Sequence, residues 1–449
     1  MSTDAAEASA VIDPPINVDP PSSERQLGLA MATALVVGNM IGAGIFLLPA
    51  VLAPFGQNAI YGWLVTIAGA LFLAATFAIL SAHIEGGPFV YVEEAFGPEI
   101  AFVVMWSYLV SIWNTVAVLP IAAVSNLSHV APVLGAPIVA PVSAIAIAWL
   151  FLLVNASGAR SAGAVQLVTT FLKALPLIAV VVVAAIYLGR GTAAARLTPV
   201  PVSTGSIAGV VSLALFSMLG FESASISTDK VKNPHRTIPI ASVLGAAFAG
   251  LIYLAATWGV LYLLPGKAAA ASPSPFADAV QPAVGPIAGS AVAIFAAISA
   301  LGCLNGWILC VGEVPLKLAR DGALPPWFAK TTGRGTPVRA QIVGCVVGTL
   351  LIVMNYSKSL TGIFEFLTLI SVVSTLVLYT GCSAAAVTLF ARTRLGGPAL
   401  AICAAVGFLF SLWSYWGAGL WPTLYGLGLV ATGFPVWLAV RRARKVKTA

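Results

Sequence analysis

Two ionisable side chains lie deep inside long apolar segments of this chain. Lys173 lies in the run FLKALP, and Glu222 lies in the run SMLGFESAS. If these segments cross a membrane, each charge costs at least about 2.5–3.5 kcal/mol on insertion scales, so both side chains should face the interior of a helix bundle. Such groups are candidates for function, and the alternative is a structural ion pair or a polar contact between helices.

Backbone groups provide a second kind of chemistry, in the run GNMIGAGIF at 38–46. Each of its three glycines destabilises a helix by about 1 kcal/mol relative to alanine, so we expect an interruption there. Within a membrane the exposed N–H and C=O groups must then be satisfied by protein, water or a ligand. Gly220, with Ser217 and Ser223 beside it, interrupts a later apolar segment in the same way.

A pair of glycine-interrupted helices at matching positions of two halves is typical of transporters built as inverted repeats, with the binding site between the halves. The N-terminus of a half-helix offers free N–H groups and a partial positive charge to an anion. The free carbonyl groups of the other half-helices can accept hydrogen bonds from a cation. An amino acid, which carries a carboxylate and an ammonium group on one carbon, suits such a site.

The composition places these segments in a membrane. The chain has 449 residues, of which 59% are hydrophobic and only 8% are charged, whereas a soluble domain carries about 25% charged residues. Apolar stretches of roughly 20 residues, long enough to cross a bilayer core, recur to the C-terminus. We predict an all-α integral membrane protein with twelve transmembrane helices, of which helices 1 and 6 are broken. The predicted spans lie near 27–52, 58–83, 99–128, 137–157, 162–188, 206–229, 238–264, 285–316, 338–354, 359–390, 398–417 and 419–440.

The basic residues predict the orientation. Most of the 22 lysines and arginines fall in segments that twelve spans place on the same side as both termini, which by the positive-inside rule is the cytoplasm. The net charge of +7 therefore reflects topology and does not indicate nucleic-acid binding. Residues 1–24 are predicted to be a disordered cytoplasmic tail. A single transporter domain follows at 25–440, with repeats at about 27–188 and 206–354 and extra helices at 359–440, and then a basic cytoplasmic tail at 441–449.

Several motifs carry a resemblance to a known family. They include GNMIGAGIFLLPA at 38–50, FESAS at 221–225, VKNP at 231–234 and GCLNGW at 302–307. The chain resembles the amino acid-polyamine-organocation superfamily over nearly its whole length beyond residue 25. Its pattern is similar to that of the bacterial arginine/agmatine antiporters, within the basic amino acid/polyamine antiporter family. The resemblance implies a LeuT-like fold with a 5+5 inverted repeat.

The resemblance also implies roles for individual residues. The backbone amides of Gly42, Ala43 and Gly44 would bind the substrate carboxylate, with Ile41 in the same unwound turn. Asn39 and Gly220 would shape the two unwound segments. Tyr108 and Phe216 would act as gates, and Glu222 would take part in the response to pH. The pocket for the substrate side chain would be lined by Ile112, Val116, Leu119, Phe216, Leu219 and Trp307.

This chain departs from the arginine exchangers at several of these positions. Ala43 replaces a serine and Val116 replaces an asparagine, so the distal pocket is more apolar. A buried guanidinium with unpaired donors would be costly there. Lys173 is absent from those exchangers, and it resembles the lysine of proton-coupled and neutral amino acid carriers, in which an ammonium takes the place of a sodium ion. It could hold the unwound carbonyl groups as a fixed cation or carry a coupled proton, and the sequence leaves both open.

The predicted function is alternating-access exchange of an amino acid, arginine/agmatine-like or a related amino acid or amine, across the plasma (inner) membrane. The alternative is a proton-coupled symporter or facilitator of neutral amino acids that uses Lys173. An enzyme is not expected, because the three histidines are far apart in sequence and the cysteines lack metal-ligand spacing. We therefore predict no cofactor and no metal. The expected partners are the substrate and the lipid bilayer, without nucleic acid, and a homodimer is a further candidate.

Overall fold

The computed structural model describes residues 29–157, 172–191, 197–222, 233–333 and 335–448, and within these ranges the chain forms helices and turns without strands. The all-α prediction is thus confirmed for the described residues. The predicted tail at 1–24 lies outside them, as do residues 162–171 of the fifth predicted span and 223–229 of the sixth. The helices are α1 (Leu29–Met40), α2 (Ala43–Leu52), α3 (Asn58–His83), α4 (Pro88–Phe96), α5 (Pro98–Leu127), α6 (Val139–Ala156), α7 (Leu175–Gly189), α8 (Thr204–Met218), α9 (Pro234–Leu263), α10 (Gly266–Ala271), α11 (Pro275–Val284), α12 (Pro286–Arg320), α13 (Val338–Met354), α14 (Leu360–Thr393), α15 (Gly397–Ala418), α16 (Leu420–Ala431) and α17 (Gly433–Thr448).

Eight helical stretches of the described residues are long and apolar enough to cross a membrane. Seven are the single helices α3, α5, α6, α9, α12, α14 and α15, and the eighth, Leu420–Arg442, combines α16 with the start of α17. Four shorter apolar helices lie in the predicted spans 1, 5, 6 and 9. The predicted bounds 58–83 and 338–354 coincide with α3 and α13. The total of twelve spans stays a prediction, because spans 5 and 6 extend into residues outside the description.

The first predicted span is interrupted within its glycine-rich run. Helix α1 ends at Met40, where the Ile41 N–H still donates to the Val37 carbonyl at 2.8 Å. Gly42 is extended, with φ −141° and ψ −164°, and α2 begins at the next residue. The first amides of α2 therefore have no partner within their own helix.

The sixth predicted span is interrupted at Gly220. Helix α8 begins with the Ser203 hydroxyl accepting a hydrogen bond from the Ser206 N–H, and it ends at Met218. Gly220 has φ +120°, a conformation that residues with a Cβ rarely adopt, and Phe221 and Glu222 form a tight turn after it. Glycine is thus required at this interruption for its backbone conformation.

Helix α5 lies at the centre of the molecule. Nearly every residue from Ala101 to Asn126 is buried, and α5 packs against α6, α12, α13 and α14. Its chain begins at the pair Gly97-Pro98, in which proline takes the first helical position, where no N–H donor is needed. Helices α1 and α2 pass beside this centre, with α2 in contact with α5, α8, α12 and α14. Both interruptions therefore lie against the buried core of the bundle.

Large apolar side chains cover much of the outer surface. Ile287, Met354 and Leu420 are 86%, 78% and 68% exposed, and many leucines and valines of α6, α7 and α15 are exposed as well. A water-soluble protein rarely exposes contiguous apolar patches on this scale. The surface suits hydrocarbon, and the interior holds the polar residues discussed below.

Candidate functional site

A small cavity of about 20 Å³ lies at the interruption between α1 and α2. It has room for about one water molecule and is far smaller than the roughly 300–1,000 Å³ of typical ligand sites, so the helices around it must move apart before a substrate can enter. Six of the residues predicted to contact the substrate line it: Gly42, Gly44, Leu119, Phe216, Leu219 and Trp307. Four further residues complete the lining: Met40, Thr115, Ser217 and Cys303. Helices α2, α5, α8 and α12 thus meet around one space.

Three predicted contact residues lie outside the lining of this cavity. Ile41, Ile112 and Val116 are all buried, with at most 4% of their surface exposed. Val116 faces α13, where a Cβ built on Gly348 would lie 3.3 Å from a Val116 methyl group. Ala43 is the first residue of α2, and Asn39 lies in the last turn of α1.

The register of α5 explains why Thr115 lines the cavity and Val116 does not. Residues three or four apart share a face of a helix, so Thr115 lies on the same side as Leu119, and Val116 is turned by one residue. The Thr115 hydroxyl donates to the Ser111 carbonyl at 3.0 Å. Ser111 and Thr115 belong to a hydroxyl cluster with Ser371 and Thr375 of α14, in which the Ser111 and Ser371 oxygens are 3.0 Å apart.

Two glycines of the interrupted segment pack closely against neighbouring side chains. A Cβ built on Gly42 would lie 2.3 Å from Cys303 Sγ, and one built on Gly44 would lie 2.8 Å from Ser217 Oγ. Both approaches are closer than real side chains allow, so glycine is required here for space. The two residues that press on the segment, Cys303 and Ser217, also line the cavity.

Lys173 lies just before α7 and is completely buried. Its ammonium group donates to the Gly38 carbonyl oxygen at 2.9 Å. Within an unbroken helix that carbonyl would accept from the N–H four residues later, at Gly42, and the interruption removes that donor. The lysine therefore satisfies a carbonyl group that the broken helix leaves free.

Glu222 follows Gly220, the site of the second interruption, by two residues, and 1% of its surface is exposed. Its Oε2 atom accepts from the Gly220 N–H and from the Tyr379 hydroxyl, both at 3.1 Å. The Tyr108 hydroxyl lies near the same carboxylate. Glu222 does not line the cavity; it ties the interruption of span 6 to α14.

Aromatic rings close the site on two sides. Phe216 and Trp307 line the cavity with 6% and 9% of their surfaces exposed, and Phe216 meets Phe364 edge to face at 6.3 Å. Beyond the second interruption, Phe221 stacks on Tyr379 at 5.3 Å. Tyr108, the other predicted gate, is 2% exposed and does not line the cavity.

The residue types around this small space suit a zwitterion or a cation. The first turn of α2 presents amides that suit an anion, while the Phe216 and Trp307 rings present π-faces that attract an ammonium group. Among the described residues, no three histidine, cysteine, aspartate or glutamate side chains lie together as a metal ion would require. Thr115, Ser217, Cys303 and Met40 were not predicted; helical spacing from Leu119 could have identified Thr115.

Comparison with known proteins adds a family to this geometry. A family model described as amino acid permease matches residues 27–438. The cadaverine/lysine antiporter of Escherichia coli (strain K12) is 34% identical to this chain over 366 residues, which cover 80% of this chain and 82% of that protein. The putrescine transporter PotE of Haemophilus influenzae (strain Rd) is 28% identical over 423 residues, with 93% and 97% covered. PotE of Escherichia coli (strain K12) is 27% identical over the same length.

Proposed function

Because the chain belongs to the amino acid permease family, within the amino acid-polyamine-organocation superfamily, we propose that it exchanges a basic amino acid for an amine by alternating access. Transport of amino acids or amines through a multi-pass membrane protein follows from the family, and the protein is not an enzyme. The observation that carries the finer proposal is the set of groups around the cavity, in which the first turn of α2 lies beside Phe216 and near Trp307. The amides of that turn suit a carboxylate, and the rings suit an alkylammonium group.

The lining favours an ammonium group over a guanidinium group. A guanidinium carries five N–H donors in a fixed plane, whereas an ammonium carries three that rotate freely. Apart from backbone groups and the Ser217 hydroxyl, which lies beside α2, the cavity offers the Thr115 hydroxyl and the Cys303 thiol as acceptors. We therefore propose a substrate pair of the lysine and cadaverine type, in line with the names of the relatives, rather than arginine and agmatine.

Exchange can be tested in proteoliposomes. Vesicles loaded with cadaverine should take up external radiolabelled lysine, whereas empty vesicles should take up little, because exchange needs substrate on both faces. Loading with agmatine should support a slower uptake of arginine. Equal uptake of lysine into loaded and empty vesicles would contradict the exchange mechanism.

The remaining architecture is part of the same proposal. Twelve spans with a 5+5 inverted repeat would place the two interrupted helices in matching positions. The contacts of α3 with α8 and α9, and of α1 with α9, support it, because they pair the first two spans with the sixth and seventh. Spans 1, 2, 6 and 7 would then move together against the rest. A homodimer is proposed as well, and light scattering of the purified protein in detergent tests it.

Lys173 supports a second candidate function, proton-coupled symport of a neutral amino acid. Its ammonium group lies 2.9 Å from the Gly38 carbonyl, next to the interruption, where a coupling cation would act. We expect Lys173→Ala to abolish net transport or to change its dependence on pH between about 5 and 8, because the removal of the charge leaves a buried carbonyl without its donor. The exposed Lys267 provides the control, since Lys267→Ala should transport as the wild type does.

The two candidates predict different fluxes. A symporter carries substrate into empty vesicles when a pH gradient is imposed, and an exchanger does not. Unchanged uptake by the Lys173→Ala variant across the whole pH range would argue against any coupling role for this lysine. If lysine is taken up only into vesicles loaded with amine, the role that remains for Lys173 is that of a fixed cation.

A further inference from the structure

The Ser217 hydroxyl is a buried donor without a partner. Ser217 lies in the last turn of α8, with 3% of its surface exposed, and its Oγ atom makes no hydrogen bond with any described residue. The same helix shows what a paired serine looks like: the Ser212 hydroxyl donates to the Ala208 and Ser414 carbonyl oxygens, at 3.1 and 2.6 Å. An unpaired buried hydroxyl destabilises a protein, so Ser217 is suited to a partner that arrives from outside.

The position of this hydroxyl indicates what that partner is. Ser217 lines the cavity, and its oxygen would lie 2.8 Å from a Cβ built on Gly44, so it faces the first turn of α2. That turn carries free amides at the positive end of a ten-residue helix. Residue 43 is alanine, so α2 supplies no hydroxyl of its own at this point. The Ser217 hydroxyl and the first turn of α2 are therefore neighbours in the lining of the cavity, and both offer hydrogen-bond donors.

We infer that Ser217 binds the carboxylate of the transported amino acid and thereby distinguishes it from the amine that lacks one. The inference rests on the proposed exchange, and it names the side chain that gives the amino acid and the amine different affinities. An α-carboxylate between α2 and α8 accepts from the amides and from the Ser217 hydroxyl. A decarboxylated amine leaves that hydroxyl unpaired, so the amine gains nothing from it. The serine therefore sets the ratio of the two affinities rather than their common level.

Binding measurements on the full-length protein in lipid nanodiscs test this inference with three probes: L-lysine, its methyl ester and cadaverine. The ester keeps both ammonium groups without the negative charge, and cadaverine lacks the carboxyl group altogether. Ser217→Ala should weaken the binding of L-lysine by about tenfold or more, because a hydrogen bond to a charged acceptor is lost. The affinities for the ester and for cadaverine should change by less than about twofold, since neither bears the charge.

Ser212→Ala is the matched control. It removes a hydroxyl from the same helix that is already paired within the protein, and it should leave the ratio of the affinities for lysine and cadaverine unchanged. Equal weakening of all three probes by Ser217→Ala, or no weakening of any, would overturn the inference. If Ser217→Ala yields little folded protein, Ser217→Cys keeps the volume and a weaker donor, and the same selective loss should appear to a smaller extent.

Failure of the proposed function would be seen separately. If the wild type binds none of the basic probes, the proposed substrate class is wrong. The comparison is then made with leucine and 3-methylbutylamine, a neutral amino acid and its counterpart without a carboxylate. Ser217→Ala should weaken only the binding of leucine, and an equal effect on both ligands would overturn the role of the serine.

Discussion

Gly42 lies so close to the Cys303 side chain that a Cβ atom at position 42 would clash with it. The Gly42→Ala substitution would place a Cβ 2.3 Å from Cys303 Sγ and 2.9 Å from Cys303 Cβ. Overpacking of this kind costs about 1–3 kcal/mol, and it displaces the segment that carries the free amides. We expect most exchange activity in proteoliposomes to be lost, with a lower melting temperature.

The control for this substitution is Gly428→Ala, since nothing lies within 4 Å of a Cβ at that position. It should leave both activity and melting temperature close to those of the wild type. Adding Cys303→Ala to Gly42→Ala should restore part of the activity, because the Sγ atom is removed and the Cβ atom remains. Exchange at the wild-type rate by the Gly42→Ala variant would contradict this expectation. It would mean that Cys303 and α12 can shift at little cost to make room for the added methyl group.

Two buried tryptophans differ in what they face. Trp307 lines the cavity, whereas Trp106 donates its indole N–H to Thr432 at 3.3 Å and meets Trp113 edge to face. Trp307→Ala should weaken substrate affinity by about tenfold or more, because it removes a π-face and buried apolar area together. Trp106→Ala should lower the melting temperature and leave the affinity nearly unchanged. Equal losses of affinity in a binding titration would place the site elsewhere.

At the scale of elements, the interruption of span 6 and α14 share one acceptor. Glu222 accepts from both the Gly220 N–H and the Tyr379 hydroxyl, so we expect a movement of one element to affect the other through this carboxylate. Glu222→Gln and Tyr379→Phe should each slow exchange. The double variant should be no slower than the slower single variant, because residues that act through one bond are not additive.

Two further measurements define this link. Glu222→Gln should also flatten the dependence of the exchange rate on pH, since it removes the titratable group. Tyr356→Phe is the control, because Tyr356 is 61% exposed and lies apart from this contact. Additive losses in the double variant would show that Glu222 and Tyr379 act independently.

The scale of the whole molecule concerns topology. Both termini are proposed to lie in the cytoplasm, which places Lys267 outside and Lys330 inside, and both residues are exposed. Cysteine introduced at position 267 should react with a membrane-impermeant maleimide in intact cells. Cysteine at position 330 should react only after the cells are permeabilised. The reverse pattern would mean that the orientation in the membrane is opposite to the proposed one. Labelling of both cysteines in intact cells would contradict the proposed number of spans between positions 267 and 330.

Much of the architecture was predictable from composition and spacing. The lengths of the apolar stretches predicted the first and last residues of α3 and α13 correctly. The glycines at 42 and 44 predicted the position of the first interruption. These features depend on local composition, which a single sequence displays directly. The positions of Trp307 and Phe216 were expected from the family resemblance, and both rings line the cavity.

The rest depended on how helices turn against one another. Val116 and Thr115 differ by one residue, or about 100° around α5, and only packing decides which one faces the cavity. The sequence indicated only that Ser217 helps to interrupt a helix. The structure adds that its buried hydroxyl has no hydrogen-bond partner among the described residues. The contact between Cys303 and Gly42 joins residues far apart in the chain, and no local pattern of sequence encodes it.

The burial of α5 has a consequence for how the protein is made. Its polar residues, among them Ser111 and Asn114, are covered largely by α12, α13 and α14, which leave the ribosome much later. Until these helices are inserted, we expect the hydroxyl and amide groups of α5 to face lipid or other temporary partners. We therefore expect the N-terminal half to fold incompletely on its own, because a chain that stops after α7 lacks the helices that cover α5.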